Sequence, residues 1–354
     1  MLIRRETKYG SNNFLTVYRP CTIDEFIGSS SVKNLINNYL LKGTLPHILL
    51  LTGEAGLGKT TLARIIALSL NCENSNNNIP CLNCASCVSI FNSNNIDVNE
   101  INVGSSSGKD AVDGLVSDLS SAPFSSKYKI LIFDEAHRLS PAAQALLLKR
   151  MEDCYSHVYI IFCTNEPEKL TSKSSEDDPF LDRCKVLHLD ALTNYEIMSL
   201  LENVAQFEGV AYTKDILEYI CELSKGVPRK ALNFLDSVIT EGSWEIKNIK
   251  SLLAGIIIDE DDSEIIELSK LLIKRDFASS CIMFDKLIKK YPVESIRVAV
   301  CGFFVGCLKR SSIKSGKNIS NALTYLTVPI YLTGKPSEHL FYNIMFKVVA
   351  TLEN

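Results

Sequence analysis

The sequence has no apolar run long enough to cross a bilayer. Its longest, around Val298 to Leu308, falls well short of the roughly 20 residues that a spanning helix needs. No signal peptide is visible, because Met1-Leu2-Ile3-Arg4-Arg5 leads into polar sequence rather than an apolar segment. Excess positive charge is also missing: 37 Lys and Arg face 41 Asp and Glu, a formal net charge of −4. The chain as a whole is therefore not a basic nucleic-acid binder, and any DNA contact must come from a local patch or from partners. There is no internal repeat and no long low-complexity tail. Twelve cysteines in 354 residues are too dilute for a secreted disulfide framework. The expectation is a cytoplasmic protein with reduced thiols and no membrane partner.

What is present is ordinary in bulk and specific in detail. Hydrophobic residues make up 46% and charged residues 22%, a globular balance, and the length allows two or three domains. Up to about residue 190, apolar strands alternate with helical segments. His47 to Leu51, Ile96 to Val103, Lys129 to Phe133 and Val158 to Cys163 read as strands; Thr61 to Leu70 and Pro141 to Met151 read as helices. Such alternation implies a parallel sheet covered by helices. From 191 onward the pattern is helical only, with segments at 195–204, 214–224 and 229–240, a link near Trp244 to Gly255, then 264–272, 277–290 and 293–309.

The first strand runs into Gly53-Glu54-Ala55-Gly56-Leu57-Gly58-Lys59-Thr60 and then a helix opening at Thr61. This is a phosphate-binding loop: backbone N–H groups converge on phosphate oxygens, Lys59 neutralises the β- and γ-phosphates, and the Thr60 hydroxyl holds Mg²⁺. The loop and Thr61 together form the expected nucleotide-binding segment. The strand Ile130 to Phe133 ends in Asp134 and Glu135, where Asp134 can hold Mg²⁺ and Glu135 can polarise an attacking water. Asp134-Glu135-Ala136-His137 also spells a helicase DEAH box, so the tetrapeptide does not choose a family by itself. Thr164 and Asn165 end the next strand and can reach the γ-phosphate and the water. Asn102, at the end of the second strand, can hydrogen-bond Glu135.

Cys72, Cys81, Cys84 and Cys87 are spaced C-x8-C-x2-C-x2-C just after the first helix of the nucleotide fold. Tetrahedral Cys₄ coordination fills every position of zinc, so the site is expected to be structural. Four thiolates and one zinc lower the formal charge from −4 to about −6.

In this order and place, these motifs resemble the gamma/tau subunits of the bacterial DNA polymerase III clamp loader, which are AAA+ ATPases. The cysteine spacing is the most specific element. The resemblance implies an α/β fold: an AAA+ P-loop parallel sheet with a zinc-module insertion, then an all-helical lid and an all-helical C-terminal collar. The boundaries would be 1–190, 191–245 and 246–354, with the zinc module at 72–87. It implies an ATP-hydrolysing motor that opens a sliding clamp and places it on primer-template DNA, within a pentamer of clamp-loader subunits. Tyr18-Arg19-Pro20 resembles the family's adenine motif. Gly226-Val227-Pro228-Arg229 resembles the lid motif that aims Arg229 at the γ-phosphate. Arg183 matches the finger placed in a neighbour's site, although Asp182 stands where the family has Ser and the polar stretch Thr171 to Asp178 precedes it. Gly28-Ser29 replaces the family's Gly-Gln. The length suits three domains without a long tail, and Lys109 is a candidate DNA contact. The alternative is a nucleotide-binding stator or assembly subunit without significant turnover. A DEAH-type helicase would need a second motor domain, and residues 191–354 read as all-helical.

Overall fold

Five strands form one parallel sheet: β1 Ile48–Thr52, β2 Val98–Asn102, β3 Lys129–Asp134, β4 Val158–Thr164 and β5 Lys185–His188, in spatial order β2-β3-β4-β1-β5. The computed structural model describes residues 13–103, 118–153, 155–170, 179–242 and, of 244–352, all but 247, 250–251, 254–262, 311–312, 329 and 333–334. Lys109 and the stretch Thr171 to Asp178 lie outside the described residues. Successive side chains of a strand point to opposite faces. Leu49, Leu51, Ile130, Ile132 and Ile161 accordingly pack on one face, against α2 (Ser30–Lys42) and α3 (Lys59–Asn71). Ile48, Leu50, Leu131, Phe133 and Phe162 pack on the other, against α5 (Pro141–Asp153). Burial on both faces is why these strands read as continuous apolar runs.

Strand β5 departs from the sequence expectation. It is an edge strand in which only Leu187 is buried, so its mixed composition carries no periodic signal. Three further helices of this part also go beyond the expectation: α1 (Phe14–Val17), α2 and α4 (Ala85–Phe91), the last N-capped by Cys84. The strand ends are stitched by side chains. Asn71 at the end of α3 receives the Tyr128 N–H (2.9 Å) and donates to the Tyr128 carbonyl (3.0 Å), which fixes the entry to β3.

The chain divides into two compact units, residues up to 236 and from 237 onward. The first unit continues after β5 with α6 (Asn194–Phe207), α7 (Lys214–Ser224) and α8 (Pro228–Glu241, which runs across the division). Thr193 and Glu196 form a reciprocal capping box at the start of α6. The second unit holds α9 (Ser263–Ile273), α10 (Phe277–Leu287), α11 (Val293–Arg310), α12 (Ile313–Leu326) and α13 (Glu338–Leu352) around a core that includes Leu268, Phe284, Phe304, Phe341 and Met345. Helices α12 and α13, and a short antiparallel pair of β6 (Tyr331–Leu332) and β7 (Lys335–Pro336), exceed what the apolar periodicity announced. Within this unit Arg297 and Glu294 form a buried bidentate ion pair (2.5 and 3.0 Å). Among the described residues, no helix is long and apolar enough to cross a membrane.

Candidate active site

Strand β1 leads into the loop Gly53 to Thr60 at the carboxyl edge of the sheet, where open α/β folds bind ligands. Two glycines are obligatory there. A Cβ on Gly53 would lie 2.5 Å from the Leu189 carbonyl oxygen, and Gly56 holds φ +87° with a Cβ position 2.8 Å from Val227. The loop therefore curls under backbone that no larger residue permits. Lys59 is buried and donates to the carbonyls of Gly53 and Glu54, both at 2.8 Å. Burial pulls its pKa below the usual lysine range, against upward pulls from Cys163 and Asp134.

Strand register brings the acidic end of β3 and the polar end of β4 level with this loop. The Thr60 hydroxyl donates to Asp134 Oδ2 at 2.9 Å, and the other Asp134 oxygen accepts the Glu135 N–H at 3.0 Å. A hydroxyl and a carboxylate side by side are hard oxygen donors suited to magnesium. Glu135 takes a left-handed conformation, φ +53° and ψ +42°, and its carboxylate meets Arg138 at 3.2 Å. Thr164 is buried and Asn165 exposed at the rim. One polar cleft of about 340 Å³ is lined by Lys59, Thr60, Asp134, Glu135, Thr164 and Asn165, with Arg19 and Arg229 at its edge.

An apolar pocket of about 290 Å³ adjoins the cleft and shares Arg19, Gly56, Gly58, Thr61 and Arg229 with it. Tyr18, Pro20 and Leu57 line it too. Tyr18 is fully buried, and its hydroxyl donates to Glu208 at 2.5 Å. Burial lowers the pKa of Arg19, and nearby Arg64 adds to that, so Arg19 sits where negative charge would be welcome. Arg229, the second residue of α8, is exposed and makes no hydrogen bond or ion pair among the described residues. The structure thus gathers Tyr18, Arg19, Pro20, the loop from Ala55 to Thr61, Asp134, Glu135, Thr164, Asn165 and Arg229 around two joined pockets, while Gly53 and Glu54 line neither and hold Lys59 through their carbonyls.

Arg183 does not line either pocket. Its guanidinium donates to Glu152 Oε1 and to the Pro179 carbonyl, both at 2.7 Å, so its carboxylate partner is Glu152 on α5. Asn102 stands level with Asp134 across the β2–β3 ladder. Residues that sequence reasoning missed are Arg64 and Glu100, a bidentate pair (2.6 and 2.9 Å) on the cleft wall, and His137. His137 was visible as the last letter of the DEAH tetrapeptide, but its neighbours were not. No local signal marks Arg64, since its partner is 36 residues away.

The four cysteines converge. The sulfurs of Cys72, Cys81, Cys84 and Cys87 all lie within 4.8 Å of one another. A zinc tetrahedron with bonds near 2.3 Å needs sulfurs about 3.8 Å apart, so the donor set fits. Backbone N–H groups already point at the sulfurs: Cys81 N–H to Cys72 (3.2 Å), Cys84 N–H to Cys81 (3.4 Å) and Cys87 N–H to Cys84 (3.4 Å). The Asn83 N–H, followed by other donors, brings the Cys81 thiol down to about 6, while burial raises Cys72 and Cys87. That lowering favours the thiolate form through which Cys81 would bind a soft or borderline cation.

Comparison with known proteins follows the same lines. The family model described as "DNA polymerase III, delta subunit" matches residues 28–193. The DNA polymerase III gamma subunit of Buchnera aphidicola subsp. Baizongia pistaciae is 27% identical over 95% of this chain and 94% of its own length. The gamma/tau subunit of Mycoplasma pneumoniae is 35% identical over 62% of this chain and 31% of its own. The tau subunit of Escherichia coli is 30% identical over 71% and 38%. The chain thus matches about a third of the length of these gamma/tau and tau relatives, and nearly all of the Buchnera gamma subunit. Among solved structures, the Thermotoga maritima RuvB Holliday junction branch migration motor aligns with a TM-score of 0.50 at 23% identity, over 72% of this chain and 79% of that one. That likeness is one of fold.

Proposed function

We propose, from its likeness to the gamma/tau subunits of bacterial DNA polymerase III, that the chain is a member of that family and the ATP-hydrolysing motor subunit of a sliding-clamp loader. One observation carries the reading: an apolar pocket joined to a polar cleft, with Arg19, Gly56, Gly58, Thr61 and Arg229 common to both. Those are the demands of a purine nucleoside triphosphate, an aromatic base at one end and a polyanion at the other. The base lies against Tyr18, Pro20 and Leu57. The phosphates lie on the loop backbone and Lys59, and Arg229 meets the γ-phosphate. Thr60 and Asp134 would hold a magnesium ion, which would supply positive charge against the charge that develops on the phosphates. Glu135 accepts a proton from the attacking water as that water's oxygen bonds to the γ-phosphorus and the bond to the bridging oxygen breaks. Thr164 and Asn165 position the water and the γ-phosphate. The products are ADP and phosphate.

The four cysteines hold a structural zinc. Helices α6 to α8 serve as the lid, and the second unit as the collar of a pentamer. Arg183 serves a neighbouring subunit's site, for which it must exchange Glu152 for phosphate. Clamp and primer-template DNA are the partners, in the cytoplasm of a bacterium or of a phage's host. The test is an ATPase assay on zinc-replete protein with its partner subunits, adding clamp and primer-template DNA in turn. Turnover stimulated fully only when both are present is expected. ATP retained without turnover under every condition would replace the motor with a stator, and no ATP binding would remove both readings.

A further inference from the structure

His137 has no role in the scheme above, yet it ties the end of β3 to the end of β4. It lies on the tight helical turn Ala136–Arg138 that follows Glu135, its side chain is 9% exposed, and it lines the polar cleft. Nδ1 is 3.3 Å from Thr164 Oγ1. Nε2 faces Glu166 Oε1 at 3.6 Å. Thr164 Oγ1 also accepts the Glu166 N–H at 3.0 Å, and the Glu166 carboxylate is itself paired with Lys169.

The proton inventory of this group has one consistent solution for the neutral ring. An ionised carboxylate only accepts, so the ring proton belongs on Nε2, beside Glu166. Nδ1 is then an acceptor, and the Thr164 hydroxyl must donate to it. One Thr164 lone pair already takes the Glu166 N–H. A single lone pair is left for whatever enters the cleft, and it can accept a proton but has none to give. A water beside it would be oriented with one hydrogen on Thr164 and its own lone pair free for attack.

We propose that His137 is a positioning residue for hydrolysis, fixing the direction of the Thr164 hydroxyl proton so that Thr164 accepts from the attacking water. The proposal rests on the reading that this cleft hydrolyses ATP. It acts through Thr164, so nucleotide binding by the loop is untouched.

Two measurements test it. In ¹⁵N spectra of histidine-labelled protein, His137 is expected as the Nε2–H tautomer, with that preference weakened when the carboxylate is removed in Glu166→Ala. An Nδ1-protonated ring in the unsubstituted protein would overturn the assignment. In steady-state kinetics of the assembled complex, His137→Ala is expected to lower kcat about tenfold or more, with KM and nucleotide Kd within about twofold. His137→Asn, whose amide meets Thr164 where Nδ1 stood, restores most of the loss; His137→Gln, whose amide reaches the place of Nε2, does not. Equal rescue by Asn and Gln, a kcat unchanged in His137→Ala, or a loss confined to KM would each sink the proposal. If the unsubstituted complex never turns over ATP, the hydrolytic reading and the proposed role fall together, while the tautomer measurement still decides whether Nδ1 is free to accept the Thr164 proton.

Discussion

Glu135 holds a left-handed backbone conformation at the mouth of the cleft, a state that costs a non-glycine residue on the order of 1 kcal/mol or more. The fold maintains it because the Asp134 carboxylate accepts the Glu135 N–H and the turn that follows is closed by the Glu135 carbonyl. The two carboxylates of one strand end thus stand apart, Asp134 on Thr60 and Glu135 beside Arg138, as their proposed tasks on metal and water require. Glu135→Gln should therefore keep nucleotide affinity and lower turnover by about a hundredfold or more; equal turnover in single-turnover assays would remove Glu135 from its role. Asp97 is a structural counterpart. It is 2% exposed and its carboxylate accepts N–H bonds from Phe124, Ser125 and Ser126, each at 2.7 Å. Burial alone would raise its pKa, but those donors outweigh burial and lower it. A lowered folded pKa contributes stability that is complete above the unfolded value near 4 and fades as pH falls through the folded value. Asp97→Asn should thus cost about 1–3 kcal/mol at pH 7, read by urea denaturation. The deficit should narrow below about pH 4; a deficit independent of pH would mean the charge is irrelevant.

At the scale of elements, the segment from Cys72 to Phe91 has little regular structure of its own. Its helix α4 has only seven residues, far below the length at which an isolated helix is stable in water. Ser86, Cys87 and Ile90 are buried, but Asn76 to Ile79 contribute a single isolated bridge and Asn77 and Asn78 take positive φ. The four sulfurs converge, and a metal held between them, as proposed, would supply the missing cross-link. Removing metal with a strong chelator should unfold this module while the sheet persists. Hydrogen exchange in 72–91 should rise steeply, with protection in β1, β3 and β4 retained. Unchanged exchange in 72–91 after verified metal loss would show that packing alone holds the module. Acidification should release the metal in the same way, because protons compete for the thiolates.

At the scale of the whole molecule, what could be foreseen tracks how local the cause is. Strands β1, β3 and β4 are buried on both faces, so their composition alone announces them; β5 lies on the edge and stays silent. The phosphate loop announces itself because its glycines at 53, 56 and 58, all at positive φ, and its Lys-Thr pair fall in one short stretch, although the atoms that crowd those glycines, on Leu189, Val227 and Phe26, are remote in sequence. The apolar pocket does not, since Tyr18 and Arg229 are about two hundred positions apart and meet only because both approach the same loop. Arg183 illustrates the same limit: its neighbours in sequence suggest Asp182 as a partner, but the fold supplies Glu152.

The amino-acid sequence by itself determined the chemistry available: a loop that cradles phosphate, a strand ending in two carboxylates, and four thiols at metal spacing. Each is encoded within a short stretch, where backbone geometry and side-chain reach leave little freedom. Only the tertiary structure decided which groups face one another. Thr60 on Asp134, His137 on Thr164, Arg64 on Glu100 and Arg183 on Glu152 are set by the register of strands that are not consecutive in the chain and by helices docked across them. Those distances arise from the packing of the whole sheet unit, and no single segment carries them.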